Sequence, residues 1–149
     1  MENNILLEYQ RTLVIASLDG VSGVGVIPRW CGGQDGKMRS QWKLAVAKFI
    51  FRNYAAGLIF FENPDLYHIN DAAGLYEAYK TIEIDGDNNS LLLWYGVRFL
   101  STKKLDGILE RFELNKWEYL DIGLNKIFIS ELFLEYKLID QDISDIEIF

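Results

Sequence analysis

Residues 74–100 read GLYEAYKTIEIDGDNNSLLLWYGVRFL, and the choice of fold rests on how they are parsed. Within 74–84, Leu75, Ala78, Tyr79 and Ile82 lie at helical spacing, yet residues 79–84 also alternate in part between apolar and polar. The cluster Asp85, Gly86, Asp87, Asn88, Asn89 follows. Beyond it, residues 91–100 carry the aliphatic and aromatic load of a strand. A turn cluster between two such stretches reads best as a β-hairpin. The expectation is therefore an antiparallel sheet built around this hairpin.

The segments on either side supply more of both element types. Upstream, residues 58–62 (LIFFE) form a short apolar strand stopped by Asn63, Pro64 and Asp65, and 66–73 read as loop. Residues 37–55 contain no Pro, Gly or acid. Trp42, Ala45, Val46, Phe49 and Ile50 follow helical spacing there, which predicts a helix buried on two sides. Residues 19–36 hold six Gly and one Pro and read mostly as loop. Residues 12–18, with Val14 and Ile15, read as a strand after a possible helical turn. Downstream, Ser101 or Thr102 caps a helix over 103–112, with Leu105, Ile108, Leu109 and Phe112 on one face. Ser130 caps a last helix over 131–139, and the tail DQDISDIEIF either adds an edge strand or stays mobile. The fold class expected is α+β: a single domain over 1–149, an antiparallel β-sheet flanked by helices. A chain of 149 residues can bury a core without disulfides or metals.

The net charge of −7 is unevenly placed. Residues 1–104 hold eleven acids and eleven bases; residues 105–149 hold eleven acids and four bases. The whole excess therefore belongs to the last 45 residues. Such an end repels nucleic acid and anionic membranes and attracts basic proteins. Cys31 is the only cysteine, so no internal disulfide forms, which fits a reducing cytosol. The first ten residues lack the basic start and apolar run of a signal peptide. No apolar run approaches the roughly 20 residues needed to span a bilayer.

Catalytic and cofactor signatures are weak. Residues 20–25 (GVSGVG) have the order G-x-x-G-x-G rather than the dinucleotide pattern, and no P-loop lysine follows. His68 is the only histidine. A cysteine nucleophile Cys31 with His68 as base is one enzymatic pairing available, paired carboxylates such as Asp85 and Asp87 are another, and a zinc site lacks ligands. Asp85 and Asp87 lack the further acids of a calcium loop. Lys37, Arg39, Lys43, Lys48 and Arg52 make the predicted 37–55 helix basic. They spread around its circumference and so either fill solvent gaps or pair with the acidic C-terminal third, rather than forming a nucleic-acid stripe. No cofactor, no metal and no catalytic residue is expected.

The order of segments carries a resemblance. Ile27, Pro28, Arg29 and Trp30 come first, followed by Gln41 and Trp42 at a helix start and the strand at 58–62. Then come the pair around Asp85 and Gly86, residues 91–100, the helix at 103–112, and Ile129, Ser130 and Glu131 near a final helix. Over residues 27–136 this resembles the immunity proteins of bacterial contact-dependent growth inhibition systems. The resemblance implies a cytoplasmic, non-enzymatic inhibitor. Its partner would be the toxic C-terminal domain of a cognate effector, often a basic nuclease, and it would bind neither nucleic acid nor membrane. The toxin-binding residues expected from the acidic third are Trp117, Glu118, Tyr119, Asp121, Glu131, Glu135, Asp140, Asp142, Asp145 and Glu147, with Trp117 or Tyr119 as aromatic anchors. A small enzyme using Cys31 and His68 is the alternative.

Overall fold

A computed structural model describes residues 2–63, 67 and 71–139, the side chains of 2–4 and of Tyr119 excepted. His68 and the tail 140–149, with Asp140, Asp142, Asp145 and Glu147, lie outside the described residues. In chain order the elements are α1 (Glu2–Leu18), β1 (Val21–Ser22), α2 (Arg39–Ala55), β2 (Ile59–Phe61), α3 (Ala72–Thr81), α4 (Asn88–Leu91), β3 (Arg98–Ser101), α5 (Lys103–Arg111) and α6 (Lys126–Lys137). The strands form one antiparallel sheet in the order β1-β3-β2, with Val21 and Phe61 both paired to Phe99. Helices surround it, so the α+β class stands.

Three expected elements are present. α2 buries Trp42, Ala45, Val46, Phe49 and Ile50, the apolar positions that predicted it. β2 occupies the LIFFE segment. Thr102 caps α5, its hydroxyl accepting from the Leu105 amide, and Leu105, Ile108 and Leu109 turn inward. Each of these three side chains gains about 1.5–3 kcal/mol by leaving water.

The hairpin is absent. Residues 72–81 are the helix α3, whose buried Leu75, Ala78 and Tyr79 follow the helical spacing. Asp87, read as a turn former, and Asp71, read as loop, are helix caps instead. Asp71 accepts from the Gly74 amide at 2.6 Å and Asp87 from the Ser90 amide at 3.0 Å, each satisfying a first-turn donor. From 88 the chain runs through α4 into a π turn, Leu92–Gly96, closed by Val97 N–H to Leu92 C=O at 2.8 Å. The wider turn buries Leu93 and Trp94 side by side. The Trp94 indole donates to Ile82 C=O and the Tyr79 hydroxyl to Leu93 C=O, fixing α3 to the turn. Of the strand expected over 91–100, only its end survives, in β3.

Two other expectations fail for related reasons. Residues 12–18 belong to α1, because Ile5, Tyr9, Leu13 and Ala16 line one helical face in the core. Burial of that face outweighs the β preference of Val14 and Ile15. The last helix begins at Lys126, five residues before the expected Glu131. Its cap is Asn125, accepting from the Phe128 amide, while Ser130 bonds back to Lys126 C=O.

Gly23 sits against Trp94 and Tyr79 so closely that a Cβ would stand 2.8 Å and 2.9 Å from their rings. A buried polar cluster ties three helices together. Arg52 on α2, fully buried, donates to the Tyr9 hydroxyl on α1 at 2.9 Å. Neighbouring Asn53 accepts from the Tyr136 hydroxyl on α6 at 2.8 Å. Burial raises the pKa of both phenols, Arg52 opposing it, so they remain neutral donors and acceptors.

Candidate functional site

After α5 the chain runs along α1 before entering α6. Two long side chains of α1 hold it there. The Arg11 Nε donates to Leu120 C=O at 2.9 Å. Gln10 donates to Gly123 C=O and accepts from the Asn125 amide, at 3.1 and 2.8 Å. The 3₁₀ turn Trp117–Asp121 thereby exposes Trp117 (55%), Glu118 and Asp121. Tyr119 lies in the same turn.

α6 packs Phe128, Ile129, Leu132 and Tyr136 inward. Its opposite side is also apolar: Ile127 is 71% exposed, Leu134 56% and Leu138, just past its end, 81%. At i, i+7 and i+11 these three fall within about 40° of one line on the helix surface. Glu131 and Glu135 border that line on one side, and both are paired within the chain, Glu131 to Arg111 at 3.0 Å and Glu135 to Lys104 at 2.6 Å. The turn and α6 thus place Trp117, Glu118, Asp121, Glu131 and Glu135 on successive segments, without a common pocket. Of the charge excess, residues 105–139 hold seven acids and four bases, and residues 140–149 hold four acids and no base. Two of the basic residues of α2 pair with the segment after α3: Lys43 with Glu83 at 3.2 Å and Arg39 with Asp85 at 2.9 Å.

A cleft that no sequence motif announced lies along α1, between the 27–38 loop and the 117–121 turn. Two adjoining cavities, about 320 and 240 Å3, share Glu8, Arg11 and Arg29 in their walls. Leu7, Trp30, Cys31 and Met38 complete the first; Thr12, Ile15, Pro28, Trp117, Leu120 and Asp121 complete the second. Trp117 and Asp121 of the expected site therefore join residues from α1 and from the 27–38 loop. Arg29 and Trp30 were visible as part of the family-like pattern; Glu8, Arg11 and Met38 carried no signal in the sequence.

The loop wall is strained and pinned. Ile27 is held at φ 39°, a region that β-branched residues avoid. Its amide donates to the Thr12 hydroxyl at 3.0 Å, and its carbonyl accepts from the Trp42 indole at 3.0 Å. The Arg29 amide donates to Glu8 Oε1 at 2.7 Å. Cys31 follows at φ 54°, and Gly33 at φ 67°, ψ −151°, a conformation open essentially to glycine alone. Desolvation raises the Cys31 pKa, so the thiol is protonated at neutral pH, unlike the thiolate of an activated nucleophile. His68, its expected partner, lies outside the described residues. Among the described residues no group of three or more His, Cys, Asp or Glu could hold a metal ion. No helix among them is long and apolar enough to cross a membrane. No protein-family model, no curated protein and no solved structure matches the chain.

Proposed function

We propose that this chain is an immunity-type binding protein that neutralises a basic toxin domain in the cytoplasm, using the Trp117–Asp121 turn and the outward face of α6. The observation that carries the reading is the exposed aliphatic line Ile127, Leu134, Leu138, bordered on one side by Glu131 and Glu135 and on the other by Ser130 and Lys137. A helix facing only water would present polar residues there, and a contiguous apolar strip with a polar border is what a protein-binding face offers. Exposed Trp117 supplies an aromatic anchor of the type that dominates interface energetics. The acid excess of the C-terminal third steers a cationic partner, and a partner arginine can replace the exposed Arg111 on Glu131. The activity needs no cofactor, because inhibition requires only that a surface be covered.

Co-expression tests the reading. The C-terminal domain of a toxic effector encoded beside this chain should kill cells that lack the chain and spare cells that make it. Leu134→Glu with Leu138→Glu should abolish protection while leaving the circular dichroism spectrum and Tm unchanged. Glu118→Lys with Asp121→Lys should slow association by about tenfold at low salt. Failure of the unaltered chain to protect sinks the proposal.

A further inference from the structure

We infer that the first cavity of the α1 cleft is a binding site for a carboxylate carrying an apolar or aromatic body, held by the guanidinium groups of Arg11 and Arg29. This inference does not rest on the toxin-binding reading, although the adjoining cavity shares Trp117 and Asp121 with the turn used there.

Charge selects the ligand. Arg11, Arg29 and Glu8 are the charged groups lining the 320 Å3 cavity, leaving one net positive charge. The Glu8 carboxylate is largely spent: it is buried, accepts from the Arg29 amide at 2.7 Å and lies 3.8 Å from Arg11 Nη1. In the adjoining cavity Asp121 cancels the remaining charge, so a single anion is favoured in the first. Arg11 is already oriented, because its Nε is committed to Leu120 C=O, and the four N–H groups of its two terminal nitrogens remain. A fixed guanidinium loses little freedom when it captures a carboxylate.

The walls select the rest of the molecule. Leu7, Trp30 and Met38 give the cavity apolar sides, which a bare inorganic anion cannot fill. Its volume suits a small aromatic acid or one residue of a peptide. Two sources present that chemistry, a free acid and a protein C-terminus. The pinned loop fixes the backbone of Ile27 and Arg29, and so the point from which the Arg29 side chain springs, before any ligand arrives.

Cys31 is the only thiol and half-buried in the cavity wall, so its alkylation by neutral iodoacetamide reports occupancy. Protection should be saturable with 3-phenylpropionate and about tenfold weaker with 3-phenylpropionamide, since the amide lacks the charge-assisted pair. Arg29→Gln keeps the backbone bond to Glu8 and should lose about tenfold in affinity for the acid alone. A short peptide ending in phenylalanine identifies the source. Tighter protection by its free carboxyl form than by phenylpropionate points to a protein terminus, and weaker protection to a free acid. Equal protection by acid and amide, equal protection by inorganic phosphate, or an Arg29→Gln variant that binds the acid normally would overturn the assignment.

Discussion

The cleft has two irregular walls, and they are built in opposite ways. The 27–33 loop is strained, and its own backbone groups are pinned into the core by Thr12, Trp42 and Glu8. The 117–125 segment has no residue at positive φ and hangs from the surface of α1 by the side chains of Gln10 and Arg11. The first wall is an extension of the core and the second is a strap over it. A surface that must select a small group by geometry needs the former; a surface that must adapt to a macromolecule can use the latter.

Substitutions sharpen this contrast in order of size. Gly33→Ala should be the most damaging, because the new Cβ would stand 2.2 Å from the Pro28 carbonyl oxygen in a backbone conformation suited to glycine. The expected cost is about 3–4 kcal/mol, and the melting temperature should drop by about 10 °C. Thr12→Val leaves the buried Ile27 amide without its acceptor and should cost about 1–3 kcal/mol by denaturant unfolding. Gln10→Ala removes both bonds to the strap and should cost about 1 kcal/mol. Its main effect should be local, with faster amide hydrogen exchange over 120–126 and no change over 27–33. If Gln10→Ala matched Thr12→Val in cost, or spread its exchange effect to the loop, the two walls would not be distinct.

How far the sequence discloses the fold depends on the range of the interactions involved. α2 and α5 were legible because their apolar stripes are long and Thr102 sits where a cap should be. α1 was misread at 12–18 because Val14 and Ile15 favour strand locally, while the helix is decided by burial of Ile5, Tyr9, Leu13 and Ala16 against distant segments. The hairpin failed because an aspartate beside glycine and asparagine marks a turn and a helix cap equally well, and Asp87 chose the cap. Its misreading also hid α3, although Leu75, Ala78 and Tyr79 had shown the helical period. In the candidate site, Trp117 and Asp121 were singled out for their acidic setting. Their cleft partners Glu8 and Arg11 lie more than a hundred positions away in the chain, and nothing local to an α1 residue says that it will face a turn so remote. The pairing of Glu131 and Glu135 with α5 was likewise hidden, since it depends on how two helices pack.

The pins on Ile27 bear on the order in which the molecule assembles. One comes from α1 and the other from α2, so both exist together only once each helix has met the loop. A β-branched residue at positive φ gains nothing from that shape in an unfolded chain and relaxes out of it when either pin is absent. The loop is therefore a late product of folding, contributing little to the transition state and much to the barrier against unfolding. A small acid in the cleft would then act as a gauge of maturity, finding its receptor only on chains whose helices are already in register.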